Sequence, residues 1–376
     1  SSNGAAALVA MKVWEANANA KGGLLGRPVK LIYYDDQSNP AQVPGIYTKL
    51  LDVDKVDLVI GGYGTNLVAP AMPVVMQHGR TFIGLLALDV NKKFHYPRYF
   101  AMAPTGGPHP SQSITQPFFS IAARLTPKPK TIALVGADAE FPKHALDGAR
   151  EQSKEAGYRI VYDRSYPPNT ADYSPIVRAI QARKPDLVCV ASYPPDSVGM
   201  IRAAREEGLK TRLFGGGMVG PQATSIKTQL GDMLNGVTCY DFWLPIGKFA
   251  TPEALAFLKQ YQAKAGPAGV DSLGYYLPPF AYSDLQVLAQ AVTATKGTDD
   301  EKLANYMHAT TFNPIVGPIK FRKGGEWTEA RVLEAQFQGV KGHGVDQFKN
   351  LKTEVILYPE QYKSGTLHLP YQDALH

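Results

Sequence analysis

Between Lys130 and Gly216 the hydrophobic pattern changes period again and again. Short β-branched and apolar runs at 131–135, 159–162, 186–191 and 212–214 predict strands. Between them, apolar residues recurring every three or four positions predict helices over 141–156, 173–183 and 196–207. Gly157 and Gly208 stand just past two of those helices, where a left-handed stop is favoured. Strands separated by helices of this length need crossover connections, hence a parallel sheet covered on both faces. The first hundred residues repeat the scheme: helix 4–20, strand 29–34, a helix opening at Asn39–Pro40 and running to about 51, strand 56–60, helix 66–78 and strand 81–88. A doubly wound lobe opens on a strand, whereas this sequence opens on a helix, so the first strand is expected upstream of Ser1. From Tyr240 the alternation stops. Helical patterns at 252–264, 277–295 and 300–308 follow in succession, then strand-like runs at 316–321, 331–338 and 354–358. A chain that completes a second lobe and then makes three more helices is expected to return and cover the first.

A length of 376 residues fits two lobes better than one, because a single core stops growing near roughly 250–300 residues. An apolar fraction of 44% with 19% charged residues excludes a disordered or coiled-coil chain. Apolar runs such as 82–88 fall far short of the ~18 residues a membrane span needs. The net charge of +6 is spread thinly, with no basic patch interleaved with aromatics, so no nucleic-acid partner is expected. Cys189 and Cys239 lie in strand-like apolar runs and read as buried thiols, with pairing left open.

Two glycine-rich turns are candidates for chemistry. Gly61–Gly62–Tyr63–Gly64–Thr65–Asn66 joins a strand to a helix, so its backbone N–H groups and the positive helix end meet a ligand at the carboxyl edge of the sheet. Thr65 or Asn66 can cap that helix, and Pro73 should distort it. Gly215–Gly216–Gly217–Met218–Val219–Gly220 contains G-x-G-x-x-G with Asp241 about 20 residues on. It follows the fourth strand of its series, however, and Pro221 interrupts the run into a helix, so a flexible cleft wall is expected there rather than a dinucleotide site. Aromatics gather at inferred turns: Phe141, Tyr193, Phe242–Trp243, Tyr275–Tyr276 and Phe280. Converging on one cleft, they suit a flat, partly polar organic ligand. The eight histidines are isolated, and neither a nucleophile elbow nor a Walker lysine occurs, so no metal, cofactor or catalytic activity is expected.

Asn19–Ala20–Lys21–Gly22–Gly23–Leu24–Leu25–Gly26, Tyr34–Asp35–Asp36–Gln37–Ser38–Asn39–Pro40, the Gly61–Thr65 turn, 199–208 and the closing Tyr358–Pro359–Glu360–Gln361–Tyr362–Lys363–Ser364–Gly365 together resemble the type I periplasmic binding proteins, in the leucine/isoleucine/valine-binding branch of ABC importers. The likeness runs through nearly the whole chain. It implies an α/β fold of two doubly wound parallel-sheet lobes joined by a three-strand hinge, with solute trapped by closure. The expected division is 1–104 and 245–328 for the first lobe and 105–244 and 329–376 for the second, with crossovers near 103–106, 242–247 and 325–330. It further implies a periplasmic monomer that binds a small organic acid and is read by membrane permease subunits.

Position by position, Thr65 falls where the family places a hydroxyl on the ligand carboxylate. The next loop is Leu86–Ala87–Leu88, which keeps backbone N–H groups but lacks the family's second hydroxyl. Phe141 replaces a ligand-facing Tyr, Tyr193 lies at or beside another, and the acid that meets an α-ammonium aligns with Gly217 or Met218. An ammonium buried without that acid would lose several kcal/mol. The expected solute is therefore a carboxylate without an amine, and aromatic, because the closing block and Leu273–Gly274–Tyr275–Tyr276 resemble importers of benzoate-type acids. The expected ligand-binding set is Thr65, Asn66, Leu86, Ala87, Leu88, Phe141, Tyr193, Met218, Tyr275 and Tyr276. The alternatives are a branched-chain or other amino acid or an amide, with Asp138, Glu140 or Asp196 supplying the acid, a ligand-sensing regulator of the same fold, or a nucleotide enzyme using Gly215–Gly220.

Overall fold

The computed structural model describes residues 2–349 and 351–375. The chain divides into two compact units, one of Ser1–Pro110 and Trp243–Ala330, the other of Ser111–Phe242 and Arg331–His376. In the first unit β1 (Val59–Tyr63), β2 (Phe82–Leu85) and β3 (Tyr99–Met102) form a parallel sheet in that order. The second unit takes β4 (Thr131–Ala137), β5 (Arg159–Tyr166), β6 (Leu187–Ser192), β7 (Leu213–Met218) and β8 (Val237–Asp241). Back in the first unit, β9 (Thr311–Phe312) and β10 (Ile319–Lys320) make a small antiparallel pair. Finally β11 (Leu333–Phe337) and β12 (Glu354–Tyr358) join the second sheet, whose order is β12-β11-β8-β7-β6-β4-β5. β4 to β8 are parallel, and the two late strands are antiparallel additions at one edge. The core follows from this: β6, β7 and β8 are buried along their whole length, as strands covered on both faces must be.

The helices of the second unit match their periodicity closely. Glu140–Ala156 ends at Gly157 in the left-handed region (φ 73°), Ser174–Ala182 and Pro194–Glu206 fill the next two crossovers, and the short Thr224–Leu230 fills the last. Several elements of the first unit differ from expectation. Residues 29–34 form no ladder, because no strand flanks them, and Ile32 and Tyr33 stay exposed. The strand expected at 56–60 starts at Val59 and absorbs Gly61 and Gly62, so the turn falls at Gly64 (φ 88°). The helix expected over 66–78 breaks into Thr65–Val68 and Met72–Gln77, with Pro70 and Pro73 removing the N–H groups that would carry it through. The strand expected over 81–88 stops at Leu85, since Leu86 turns to φ 43°. β3 went unforeseen, and the run expected at 316–321 pairs only over Ile319–Lys320.

Gly215, Gly216 and Gly217 lie inside β7 and are buried, so the expected flexible wall is instead the middle of the sheet. No phosphate-binding turn is built there. The glycines serve close approach: at Gly215 (φ 142°) a Cβ would overlap the Thr238 carbonyl oxygen of β8, and at Gly216 it would press on the Phe118 ring and the Cys189 sulfur. Cys189 and Cys239 are free, buried thiols whose burial pushes both up.

Gly215→Ala should cost about 2 kcal/mol or more, from left-handed strain added to overpacking, read as a lower urea midpoint. Asp284, on the helix Pro278–Thr295, is wholly buried in electrostatic reach of Tyr47 and Tyr99, and burial pushes its carboxyl well above the usual range. Above about pH 4 the unfolded chain releases this proton while the folded one keeps it, so the group lowers stability as pH rises toward its folded value. Asp284→Asn should therefore be more stable than the parent at pH 8, with the gap narrowing toward pH 4, in thermal melts across that range.

Candidate functional site

In the second sheet the chain steps from β4 outward to β5, then returns to place β6 on the other side of β4. Open α/β sheets bind ligands at such a reversal, beyond the carboxyl ends of the strands. The loop after β4 leads into Glu140–Ala156 with Phe141 in its first turn, and the loop after β6 places Tyr193 at the N-cap of Pro194–Glu206. The two rings meet with centroids 5.8 Å apart. Tyr240 of β8 lies 6.4 Å from Phe141, and Phe242 lies 5.0 Å from Tyr240. Met218 ends β7 in register with Ser192, one residue before Tyr193, and is buried. The sequence-predicted Phe141, Tyr193 and Met218 thus share one edge. Tyr240 was missed because it sits inside a strand, where an aromatic reads as core.

Glu334 was also missed. It faces Tyr240 across the β8–β11 ladder, fully buried. Burial pushes its carboxyl well above the usual range, with the Thr238 hydroxyl pulling back a little, so the charged form is disfavoured there.

The three acids named for an amino-acid ligand have other partners. Asp138 pairs with Lys143 at 2.8 Å and Glu140 with His144 at 3.5 Å, both on exposed surface. Asp196 is buried, accepting the Tyr166 hydroxyl at 2.6 Å and the Tyr193 N–H at 3.0 Å. Burial raises its pKa and these hydrogen bonds hold it down, as expected of a helix-capping carboxylate.

In the first unit Thr65 opens the helix Thr65–Val68, and its Oγ1 accepts the Leu88 N–H at 2.9 Å. The Leu86 N–H donates to the Met102 carbonyl at 3.0 Å. Leu86 and Leu88 are therefore not the backbone donors that the sequence expected, because the fold closes the loop with them. The Ala87 N–H and the Thr65 hydroxyl hydrogen meet no acceptor among the described residues. Asn66 Oδ1 is buried with no hydrogen-bond partner among the described residues. Tyr276 hydrogen-bonds the Tyr63 hydroxyl at the end of β1, whereas Tyr275 packs on Trp243, centroids 6.4 Å apart. Tyr276 thus joins the strand end that carries Thr65, and Tyr275 belongs to a separate aromatic contact.

Among the described residues no group of three or more His, Cys, Asp or Glu could hold a metal ion, and no helix is long and apolar enough to cross a membrane. The family model described as periplasmic binding protein matches residues 1–339. A Leu/Ile/Val-binding protein homologue of Brucella abortus is 26% identical over 336 residues, covering 86% of this chain and 81% of its own. An ABC-transporter solute-binding protein of R. palustris, solved with 4-hydroxybenzoate, superposes with TM-score 0.76 at 20% identity, covering 90% of this chain and 89% of that one. An ABC-transporter substrate-binding protein of Desulfitobacterium hafniense, solved with Leu, gives 0.71 at 16%, covering 89% and 93%. With its two parallel-dominated sheets and a family match over most of its length, the chain belongs to the periplasmic binding proteins.

Proposed function

We propose that this protein captures a small aromatic carboxylate, of the benzoate type, for delivery to membrane permease subunits. Solved neighbours of similar likeness hold 4-hydroxybenzoate in one case and leucine in another, so likeness does not choose the solute. The chemistry of the residues supports the aromatic acid. The observation that carries the reading is that Asp138, Glu140 and Asp196 are all engaged elsewhere, beside an edge built of Phe141, Tyr193, Tyr240 and Phe242. A desolvated ammonium would meet no counter-charge from them, whereas an aromatic edge suits a ring, since such pairs attract in offset or edge-to-face arrangements. Burial disfavours the charged form of Glu334, which weakens it as a counter-ion.

In the first unit, taken by itself, the Thr65 hydroxyl and the Ala87 N–H are the donors suited to a carboxylate, with Asn66 next to Thr65 in the chain. In the second unit, taken by itself, Phe141 and Tyr193 are the faces suited to a ring, with Met218 at the same strand edge. Tyr276 is a further candidate contact through its place beside Tyr63. Tyr275, turned to Trp243, takes no part in this reading.

A thermal-shift panel tests the solute class. Benzoate and 4-hydroxybenzoate should raise the melting temperature and leucine, isoleucine and valine should not; stabilisation by leucine alone contradicts the proposal. Thr65→Val should weaken benzoate binding roughly tenfold to a hundredfold in titration calorimetry, the worth of a hydrogen bond to a charged group, while Thr65→Ser keeps the affinity. Phe141→Ala should weaken it too, with no effect on the thermal melt of the unliganded protein large enough to explain the loss.

A further inference from the structure

Among the described residues of the second unit four acids are buried, and they differ in what meets them. Glu354 takes the Lys227 ammonium at 2.5 Å, Asp196 takes the Tyr166 hydroxyl and the Tyr193 N–H, and Asp241 takes the Phe242 N–H at 2.7 Å. Glu334 is the exception: neither of its carboxyl oxygens has a hydrogen-bond partner among the described residues. The Thr238 hydroxyl lies near enough to favour the charged form, yet it donates to the Phe214 carbonyl at 3.4 Å. Gln336, two residues along the same strand, is fully answered: its amide donates to the Gly236 and His368 carbonyls and accepts the His368 N–H. A buried carboxyl left unanswered costs stability, so what it can reach decides what it is for.

Directly opposed residues of an antiparallel pair point to one face of the sheet, so Glu334 shares its face with Tyr240. Their row lies one residue short of the carboxyl end of β8, where Leu333 meets Asp241. Gly216 is in register with Cys239, which sets Gly217 beside Tyr240 in that row. Gly217 pairs in turn with Ala191 of β6, and Ala191 with Gly136 of β4. A Cβ at Gly136 would meet Pro142 and Leu146, so this face is the one covered by the helix that carries Phe141. Across β4, β6 and β7 the row is backbone and a single methyl group. Its first large side chain is Tyr240, whose ring meets Phe141, and Glu334 stands next to it.

We propose that Glu334 selects the ring substituent of the solute, its carboxyl group accepting a hydrogen bond from a hydroxyl carried on the aromatic ring. The inference rests on the aromatic-acid reading above and narrows it to phenolic acids. A carboxyl group accepts such a bond whether it is ionised or protonated, so the assignment holds in either state. A ring without a donor leaves both oxygens unanswered beside Tyr240, whereas a ring hydroxyl removes a cost that the folded chain already carries. A site that hydrogen-bonds a hydroxyl rejects the analogue lacking it more strongly than an apolar pocket rejects a missing methylene. An ether of similar size fills the same space and brings no hydrogen, which separates this bond from simple fit.

Titration calorimetry with benzoate, 3- and 4-hydroxybenzoate and the matching methoxybenzoates tests it. The better hydroxybenzoate should bind the parent about tenfold tighter than benzoate or more, and its methoxy counterpart should lack that gain. Glu334→Leu should bring hydroxybenzoate and benzoate to within about threefold of each other, with a cooperative melt showing that the variant folds. Glu334→Gln keeps an acceptor oxygen and should keep most of the preference. Equal binding of benzoate and both hydroxybenzoates by the parent overturns the proposal, as does a preference that survives Glu334→Leu or is shared by the methoxy compound. Each of those results leaves the aromatic-acid reading in place, whereas binding of none of these acids removes both.

Discussion

A charge taken out of water must be met by an opposite charge or by several hydrogen bonds, or it is not held. That constraint gives Asp196 its importance. Tied to the Tyr166 hydroxyl and the Tyr193 N–H, it caps a helix and fixes the direction in which Tyr193 leaves β6. The same two contacts engage one lone pair on each of its oxygens, so the carboxylate that shapes the aromatic edge is also a structural cap. Phe141 faces Tyr193, Tyr240 faces Phe141, and the edge is lined by aromatic rings.

The first unit is built with the opposite economy. It leaves neutral donors, the Thr65 hydroxyl after β1 and the Ala87 N–H after β2, once the Leu86 and Leu88 amides have been used to hold the loop against Met102 and Thr65. Charge-assisted hydrogen bonds from neutral donors hold a carboxylate without burying a cation beside it. The glycines of β7 answer a different need, letting Thr238 and Phe118 come close to the backbone.

What was legible in the sequence follows the strength of local patterning. From Lys130 to Gly216 each element has a clear period and a glycine or proline boundary, and the structure departs there mainly by lengthening the strands, as at β4, β5 and β7. Residues 29–34 carry the composition of a strand, but a ladder needs a neighbour that the pattern alone cannot supply. β3 escaped notice because four residues are too few to show a period. In the site, Phe141 and Tyr193 were readable because strand-to-helix turns at a sheet reversal advertise themselves. The fate of the Leu86 and Leu88 amides was not, since it depends on where Met102 and Thr65 sit in three dimensions. Tyr240 and Glu334 stayed hidden inside strands, where only the pairing of β8 with β11 brings them together.

The most direct measurement is a pair of calorimetric titrations with ligands that differ only by the amino group, 3-phenylpropanoate and phenylalanine. Tighter binding of the amine-free acid is the result this account predicts. Binding of phenylalanine tighter by tenfold or more would reveal a counter-ion for the ammonium and contradict it.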